Sequence, residues 1–410
     1  MIDLKKVRAD FPMLRKLPKM QGYDLAWLDN SSTTFKPDSV IAAMNRYYTE
    51  ETANSHRGDY DLCYQMDQEV LASRKAVANF IHAETKEIVF TSGATGSLNL
   101  VAFGYALKYL KKGDEILLSE AEHASNVLPW FKIAEMTGAT IKYVALNEDG
   151  RITPEAVEEA MNEHTKFVSF AHVGNVLGYL LDAKKIAGIV HSHGAIFCLD
   201  GAQSAPHTKI DVKELDVDFL AFSGHKMVGP TGIGVLYGKF ELLEKMDTFM
   251  TGGGMNVKFD LDGSESFLEP PLRFEAGTQN LAGIIGLHAA VDYLQSIGMD
   301  EIAKRERELK AYAVKKLLET GNVEIYNPDS ESGIVTFNIK GVFAQDAATY
   351  LNSLGIACRS GNHCAKMLYH KLKTPATVRA SFYFYTSEDE IDRLVEAVKK
   401  GGNYLDAYFN

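Results

Sequence analysis

One lysine of this sequence stands where a side chain can act as a nucleophile. Lys226 lies in AFSGHKMVGPTGIGVLYG (221–238), directly after an apolar run that predicts a β-strand and before glycines that permit sharp bends. A lysine held at a strand end away from water has a lowered pKa and becomes nucleophilic. The alternative is a solvated surface lysine, which is the usual fate of this residue type. Lys226 is therefore a candidate for covalent chemistry.

Two further segments indicate what Lys226 would act on. Asp200 follows the apolar run of CLDGAQ (198–203), so its carboxylate is expected at the carboxyl end of a strand. There the carboxylate could pair with a cationic ring nitrogen or could cap a helix, and the two interpretations are equally favoured. TSGATGSLN (91–99) joins a predicted strand to a predicted helix and can bind phosphate through its amide N–H groups, although many such turns are only turns. Together, a phosphate turn, an acid and a lysine suit pyridoxal phosphate (PLP), which needs one of each.

The elements that must position these residues follow an alternating pattern. Apolar runs rich in Val, Ile and Phe alternate with helical patterns through the first two-thirds of the chain, which predicts a parallel sheet covered on both faces. Ligands of such sheets lie beyond the carboxyl ends of the strands. Further on we predict a long helical region over about 283–320 with a break at Ile297-Gly298, a strand at 334–339, and a last helix that begins at Ser387.

Bulk composition excludes several classes of protein. The 410 residues include 43 Lys and Arg and 54 Asp and Glu, for a net charge of −11, which argues against nucleic-acid and anionic-membrane partners. We find no signal-peptide pattern and no apolar stretch long enough to span a membrane, so we expect a cytoplasmic protein. The four cysteines form no zinc-binding pattern, and we predict no metal site.

Several longer motifs together resemble one family. The chain resembles the cysteine desulfurases of the class V aminotransferase family, which are fold type I PLP enzymes, and within them the group II enzymes of the Suf sulfur-mobilisation system. The resemblance runs from LDNSSTTFKP (28–37) to RASFYFY (379–385). The motifs between them that carry it are NSHRG (54–58), EAEHASNVLPW (120–130), HVGNVLG (172–178), LDGAQSAPH (199–207), FSGHKMVGPTGIGVLYG (222–238), RFEAGTQN (273–280) and CRSGNHCA (358–365).

The resemblance implies an architecture. It is α/β, with a large domain built on a mostly parallel seven-stranded sheet and a smaller α+β C-terminal domain. We expect the large PLP-binding domain over 21–282 and the small domain over 283–410, with the N-terminal segment 1–20 joined to the latter.

The resemblance also implies a set of cofactor contacts. Lys226 would hold the aldehyde of PLP, Asp200 would pair with the ring nitrogen, and His123 would stack on the ring as a catalytic residue. Thr278 would reach the phosphate of the neighbouring subunit, which makes the enzyme a homodimer. The remaining cofactor-binding residues are Thr95, Asn175, Gln203, Ser223 and His225. Without the resemblance, the favoured interpretation of His123 would be a core histidine whose hydrogen bonds are all made within the protein.

On the substrate side, the resemblance assigns Arg379 to the carboxylate of L-cysteine, where a planar guanidinium suits better than an ammonium. From the residue type alone, a surface ion pair is the more favoured interpretation of Arg379. The other substrate-binding residues that it implies are Asn175, His56, Arg57 and Arg359.

Cys364 decides which reaction the resemblance implies. Its thiol lies where the family places a cysteine that becomes a persulfide, so the expected products are L-alanine and sulfur for iron–sulfur cluster assembly. Arg359 and His363 are expected to favour its thiolate. Cys198 and Cys358 follow apolar segments and are expected to be buried small residues.

The identity of the sulfur acceptor follows from two features. The segment from Arg359 to Cys364 is short, as in group II enzymes that depend on an acceptor protein. Ala344-Gln345 stands where relatives served by a zinc-bearing acceptor usually carry His. The resemblance therefore favours a SufE-like acceptor over a zinc-bearing SufU-like one.

The sequence departs from the family pattern in NSSTT (30–34), where NAATT is common, and at Ala94, Gly96, Gly174 and Asn362. We expect all of these but Asn362 to loosen PLP binding, and Asn362 to change the reactivity of Cys364 or its partner. Two near rivals share the PLP residues, a selenocysteine lyase and a cysteine-sulfinate lyase. The distant rival is a non-catalytic scaffold for sulfur transfer.

Overall fold

A computed structural model of the chain describes residues 2–55 and 58–401. The candidate residues His56 and Arg57 lie outside the described residues. The strands are β1 (Lys19–Met20), β2 (Tyr23–Asp24), β3 (Ala26–Trp27), β4 (Ile88–Thr91), β5 (Glu115–Ser119), β6 (Thr140–Val144), β7 (Thr165–Ala171), β8 (Ile196–Asp200), β9 (Phe219–Ser223), β10 (Gly234–Gly238), β11 (Asn256–Phe259), β12 (Glu265–Phe267), β13 (Val323–Ile325), β14 (Ile334–Ile339), β15 (Ile356–Ala357), β16 (Arg359–Gly361) and β17 (Thr377–Ser381).

The helices surround these strands. They are α1 (Leu4–Ala9), α2 (Pro12–Lys16), α3 (Asp38–Thr49), α4 (Asp61–Phe80), α5 (Ala94–Val101), α6 (Leu107–Tyr109), α7 (Leu128–Thr137), α8 (Pro154–Ala160), α9 (Ala183–Ser192), α10 (Val212–Leu215), α11 (Phe240–Leu243), α12 (Leu281–Ile297), α13 (Met299–Glu319), α14 (Ala344–Ser353), α15 (Leu368–Leu372) and α16 (Glu388–Lys399).

The large sheet has seven strands in the order β4-β10-β9-β8-β7-β5-β6. Only β10 is antiparallel to its neighbours β4 and β9, so the carboxyl ends of the other six strands share one edge. Every residue of β9 is buried, because helices cover both faces of the sheet. This confirms the predicted α/β fold with a mostly parallel seven-stranded sheet.

The smaller sheet has the order β13-β14-β17-β16 and is antiparallel throughout. Helices α13, α14 and α16 pack against it or against one another around its core. The short strand β3 pairs with β15, which ties the N-terminal part of the chain to this region. The domain bounds 21–282 and 283–410 stay predictions.

Local signals explain several element boundaries. Gly298, with φ 92°, separates α12 from α13 at the predicted break. The Ser387 hydroxyl accepts a hydrogen bond from the Glu390 N–H, while the Glu390 carboxylate accepts one from the Ser387 N–H. This reciprocal capping starts α16 where the sequence pattern predicted it.

Candidate active site

A cavity opens at the shared carboxyl edge of the large sheet and extends to the smaller sheet. Its lining includes eleven residues that were predicted from the sequence: Thr95, His123, Asn175, Asp200, Gln203, Ser223, His225, Lys226, Arg359, Cys364 and Arg379. These residues come from segments spread over nearly 300 positions of the chain. They meet because parallel strands end at one edge, and because β16 and β17 of the smaller sheet close the other side.

Lys226 is held in a short 3₁₀ turn, Gly224–Lys226, that directly follows β9. The His225 carbonyl accepts hydrogen bonds from the Thr34 N–H at 3.1 Å, the Thr33 hydroxyl at 3.1 Å and the Lys36 ammonium at 2.9 Å. Burial lowers the pKa of Lys226 to about 8, an effect that Asp200 opposes and Arg379 reinforces. The turn therefore presents an amine that is readily deprotonated near neutral pH.

The carboxylate of Asp200 and the side chain of Gln203 fit the aromatic ring of PLP. Asp200 is 5% exposed, and burial raises the pKa of its carboxyl, which the N–H of Ala202 counters with a hydrogen bond of 2.9 Å. A buried carboxylate of this kind is stabilised by a cationic partner such as a protonated ring nitrogen. The Oε1 atom of Gln203 is buried without a hydrogen-bond partner and can accept one from the ring hydroxyl.

His123 is a neutral imidazole with a defined tautomer. Burial lowers its pKa to about 4, and its Nδ1 accepts a hydrogen bond from the Ser125 N–H at 3.1 Å, which leaves the proton on Nε2. An uncharged ring suits stacking on an aromatic cofactor.

The N-terminus of α5, which the sequence predicts to bind phosphate, forms one side of the cavity. The Ser223 hydroxyl accepts a hydrogen bond from the Ala94 N–H at 2.8 Å, so its own proton remains available to a ligand. The hydroxyls of Thr95 and Ser125 lie 2.8 Å apart. A side chain at Gly96 would come within 2.7 Å of the Ser92 hydroxyl, so this departure from the family pattern suits the local packing. These donors at a helix N-terminus fit a phosphate.

Two arginines lie opposite each other at the substrate side. Arg359 on β16 pairs in register with Arg379 on β17. Arg379 is 2% exposed, donates from Nη1 to the Asn175 carbonyl at 2.8 Å and from Nη2 to Asp29 at 3.2 Å, and keeps a buried Nε without a partner. A buried guanidinium with free donors is suited to bind a carboxylate.

Cys364 is the exposed thiol of the cavity. The neighbouring His363 is buried, which lowers its pKa to about 3, and its Nε2 lies 3.1 Å from the Thr377 hydroxyl. His363 is therefore neutral and adds no positive charge beside the thiol, contrary to the expectation from sequence. Asn362 donates to the Pro375 carbonyl at 2.8 Å, which anchors the loop from outside the cavity.

One other expectation, the full burial of Cys358, differs from the structure. Cys358 is only partly buried, because it lies between β15 and β16 at the edge of the smaller sheet, whereas Cys198 on β8 is fully buried as expected. Thr278 is exposed and does not line this cavity, and its hydroxyl accepts a hydrogen bond from Asn54 at 3.3 Å.

Sequence reasoning assigned no individual role to several residues that shape the site. Ser31 and Ser32 line the cavity, Lys36 holds the lysine turn, and Asp29 pairs with Arg379. All four belong to LDNSSTTFKP, for which the sequence indicates only a family motif and a departure from it in NSSTT. Glu122, beside His123, is 1% exposed with its pKa raised by burial to about 8.

Comparison with known proteins places this geometry in a family. The Aminotransferase class-V family matches residues 26–394. A protein named probable cysteine desulfurase, from Halalkalibacterium halodurans, is 46% identical over 409 residues, covering 100% of both chains. Within the described residues, no helix is both long and apolar enough to cross a membrane.

Solved structures agree with this placement. An apo cysteine desulfurase from Thermococcus onnurineus superposes with a TM-score of 0.92 at 37% identity over 98% of each chain. The cysteine desulfurase CsdA from Escherichia coli, in an S-sulfonic acid form, gives a TM-score of 0.91 at 35% identity over 99% of each chain. The chain therefore belongs to the class V aminotransferase family, in the branch that contains the cysteine desulfurases.

Proposed function

We propose that this chain is a PLP-dependent cysteine desulfurase, which converts L-cysteine to L-alanine and carries the sulfur as a persulfide on Cys364. The observation that carries this proposal is the shared cavity of an exposed thiol, Cys364, and a partly buried amine, Lys226. Many PLP enzymes need only the amine. A thiol facing the same cavity adds a nucleophile that can accept sulfur.

When bound, PLP withdraws electrons from the substrate and so makes its α-carbon acidic. Arg379 binds the substrate carboxylate, and Lys226, neutral in part near pH 7, accepts the α-proton. The Cys364 thiolate forms a bond to the substrate sulfur as the carbon–sulfur bond breaks. The electron pair of that bond stays with the carbon skeleton, which takes up a proton at the β-carbon, regains the α-proton from Lys226 and leaves as L-alanine.

A homodimer is the second part of the proposal. Thr278 is outside the cavity of its own chain, as expected of a residue that serves a neighbouring subunit. Several large apolar side chains that are close to Thr278 in sequence are exposed. They lie on the β11–β12 hairpin and on the segment before β11, and they are Phe249, Met250, Val257, Phe259 and Leu261. A second copy of the chain would remove such a surface from water. Thr278→Val is expected to weaken PLP retention without unfolding the chain, and a PLP-saturated monomer in solution would contradict the dimer.

We also infer that this chain is a group II enzyme of the Suf system, which supplies sulfur for iron–sulfur cluster assembly in the cytoplasm. The support is the short span from Arg359 to Cys364, and Gln345, exposed at the start of α14, in place of a histidine. A SufE-like acceptor with a free cysteine is expected to accelerate sulfide release. Strong, zinc-dependent activation by a SufU-like acceptor would contradict this assignment.

Cys364→Ser tests the persulfide mechanism. A hydroxyl stays protonated near neutral pH and cannot accept sulfur, so alanine formation should fall by about 10²-fold or more while PLP stays bound. Chromatography of alanine and mass spectrometry of the persulfide measure both products. Cys358→Ser, which lies at the opposite end of β16 from Cys364, is the matched control and should keep most of the activity.

If Cys364→Ser released alanine from cysteine at the wild-type rate, the persulfide mechanism would be wrong. A selenocysteine lyase or cysteine-sulfinate lyase would then be the better assignment, and relative turnover of the three substrates would decide between them. If the wild-type protein bound PLP but formed neither alanine nor any other product, the remaining assignment would be a non-catalytic scaffold for sulfur transfer.

A further inference from the structure

The backbone that carries Cys364 has an unusual conformation. His363 and Cys364 are consecutive and have φ angles of 49° and 59°. Non-glycine residues rarely adopt this left-handed conformation, because Cβ crowds the carbonyl oxygen, and two in succession are rarer still. Such a turn persists only when its surroundings hold it.

Two hydrogen bonds from the cavity wall hold the carbonyls of this turn. The side-chain Nδ2 of Asn175 donates to the His363 carbonyl at 2.7 Å, and the N–H of Ala124 donates to the Cys364 carbonyl at 2.7 Å. Asn175 is 5% exposed, so its bond is shielded from water. The amide orientation is unambiguous, because a carbonyl accepts hydrogen bonds and only Nδ2 donates them.

The same asparagine faces the ligand side of the cavity. Its Oδ1 is buried without a partner and its side chain lines the cavity, while its backbone carbonyl accepts the hydrogen bond from Arg379 Nη1 at 2.8 Å. Asn175 therefore holds the turn through its Nδ2, and the same side chain lines the cavity with a buried Oδ1 that has no partner. Its backbone carbonyl accepts a hydrogen bond from the arginine that would bind the substrate carboxylate.

We propose that Asn175 is a positioning residue that couples ligand occupancy of the cavity to the presentation of the Cys364 thiol, by holding the His363–Cys364 turn through its side-chain amide. This deepens the proposed function and rests on it for its catalytic meaning. When a bound ligand donates a hydrogen bond to Oδ1, it orients the side-chain amide of Asn175. The oriented amide then holds the His363–Cys364 turn in place. Sulfur transfer would then be favoured when the cavity is filled.

Hydrogen exchange of the Ala124 amide reports on the turn directly, because its acceptor is the Cys364 carbonyl. In Asn175→Ala holoenzyme without cysteine, we expect the Ala124 amide to exchange roughly fivefold to tenfold faster, the factor that corresponds to one lost hydrogen bond of ordinary strength. Alkylation of Cys364 by iodoacetamide, located by mass spectrometry, should change in rate as well. Addition of L-alanine should slow Ala124 exchange in the wild type and should not do so in the variant.

Asn322→Ala is the matched control. Its Nδ2 donates to the Val398 carbonyl at 3.0 Å on the far side of the smaller sheet, so the same chemical change is made away from the cavity. It should leave Ala124 exchange and Cys364 alkylation unchanged, and exchange at the buried Val168 amide checks that neither variant loosens the whole protein.

Unchanged Ala124 exchange and Cys364 alkylation in Asn175→Ala would overturn the proposal, whatever happens to turnover. An effect that appears only in turnover, with both readouts unchanged, would assign Asn175 to the ligand alone and also overturn it. These measurements need no desulfuration, so their outcome is separate from that of the Cys364→Ser assay.

Discussion

The two reactive side chains of the cavity are supported in opposite ways. Lys226 lies partly buried in a turn whose His225 carbonyl accepts hydrogen bonds from Thr33, Thr34 and Lys36. Cys364 is exposed in a turn of two left-handed residues. A group that moves a proton over a short distance needs a fixed position. A thiol that accepts sulfur must remain accessible, and the strained turn that presents it is held by hydrogen bonds from Asn175 and Ala124.

The largest expected effect comes from removing the fixed amine. Lys226→Ala should reduce alanine formation by about 10²–10⁴-fold, the range for loss of a positioned acid–base group, and should abolish the visible absorbance of covalently held PLP. When both proteins are free of PLP, the rate of Cys364 alkylation should stay within about twofold of the wild type, because the two turns have separate supports. A colourless wild-type protein that remains colourless with added PLP would contradict the role of Lys226.

A smaller effect is expected from weakening the support of the lysine turn. Lys36→Met removes the charged donor to the His225 carbonyl, and a hydrogen bond of this kind is worth about a tenfold change in an equilibrium. We therefore expect about tenfold weaker PLP binding, measured by titration of the apoprotein. Lys5→Met, on an exposed site of α1, is the control and should bind PLP normally. A change in Cys364 alkylation in Lys36→Met, measured with both proteins free of PLP, would show that the two turns are not independent.

The smallest effect is a pH dependence of about fivefold. The neutral amine reacts with the aldehyde of PLP, and with a pKa of about 8 the neutral fraction of Lys226 rises from about one tenth at pH 7 to about one half at pH 8. The rate at which apoprotein takes up PLP should rise accordingly and level off near pH 9. A rate that kept rising tenfold per pH unit toward pH 10 would indicate an ordinary solvated lysine.

The comparison also separates what local patterns could predict from what they could not. Lys226, Asp200 and the turn at 91–99 were identified because each follows a continuous apolar run, and a buried strand must end where polar residues begin. The break at Ile297-Gly298 and the start of α16 at Ser387 were found for a similar reason, since helix ends require particular residues within one turn. Cys364 was identified through a motif whose residues are close in sequence.

Contacts between distant segments were beyond such patterns. Asp29 meets Arg379 across 350 positions, Lys36 reaches the carbonyl of His225, and Asn175 holds the carbonyl of His363. Nothing in the local sequence distinguishes these partners from other polar residues, because the ion pair and the two hydrogen bonds to backbone carbonyls depend on where distant segments meet in the folded chain. The charge of His363 was likewise decided by burial in the folded chain. By itself the sequence determined which residues are candidates for the chemistry, and only the tertiary structure decided which of them meet in one cavity and what holds each of them in place, because the contacts between distant segments exist only in the folded chain.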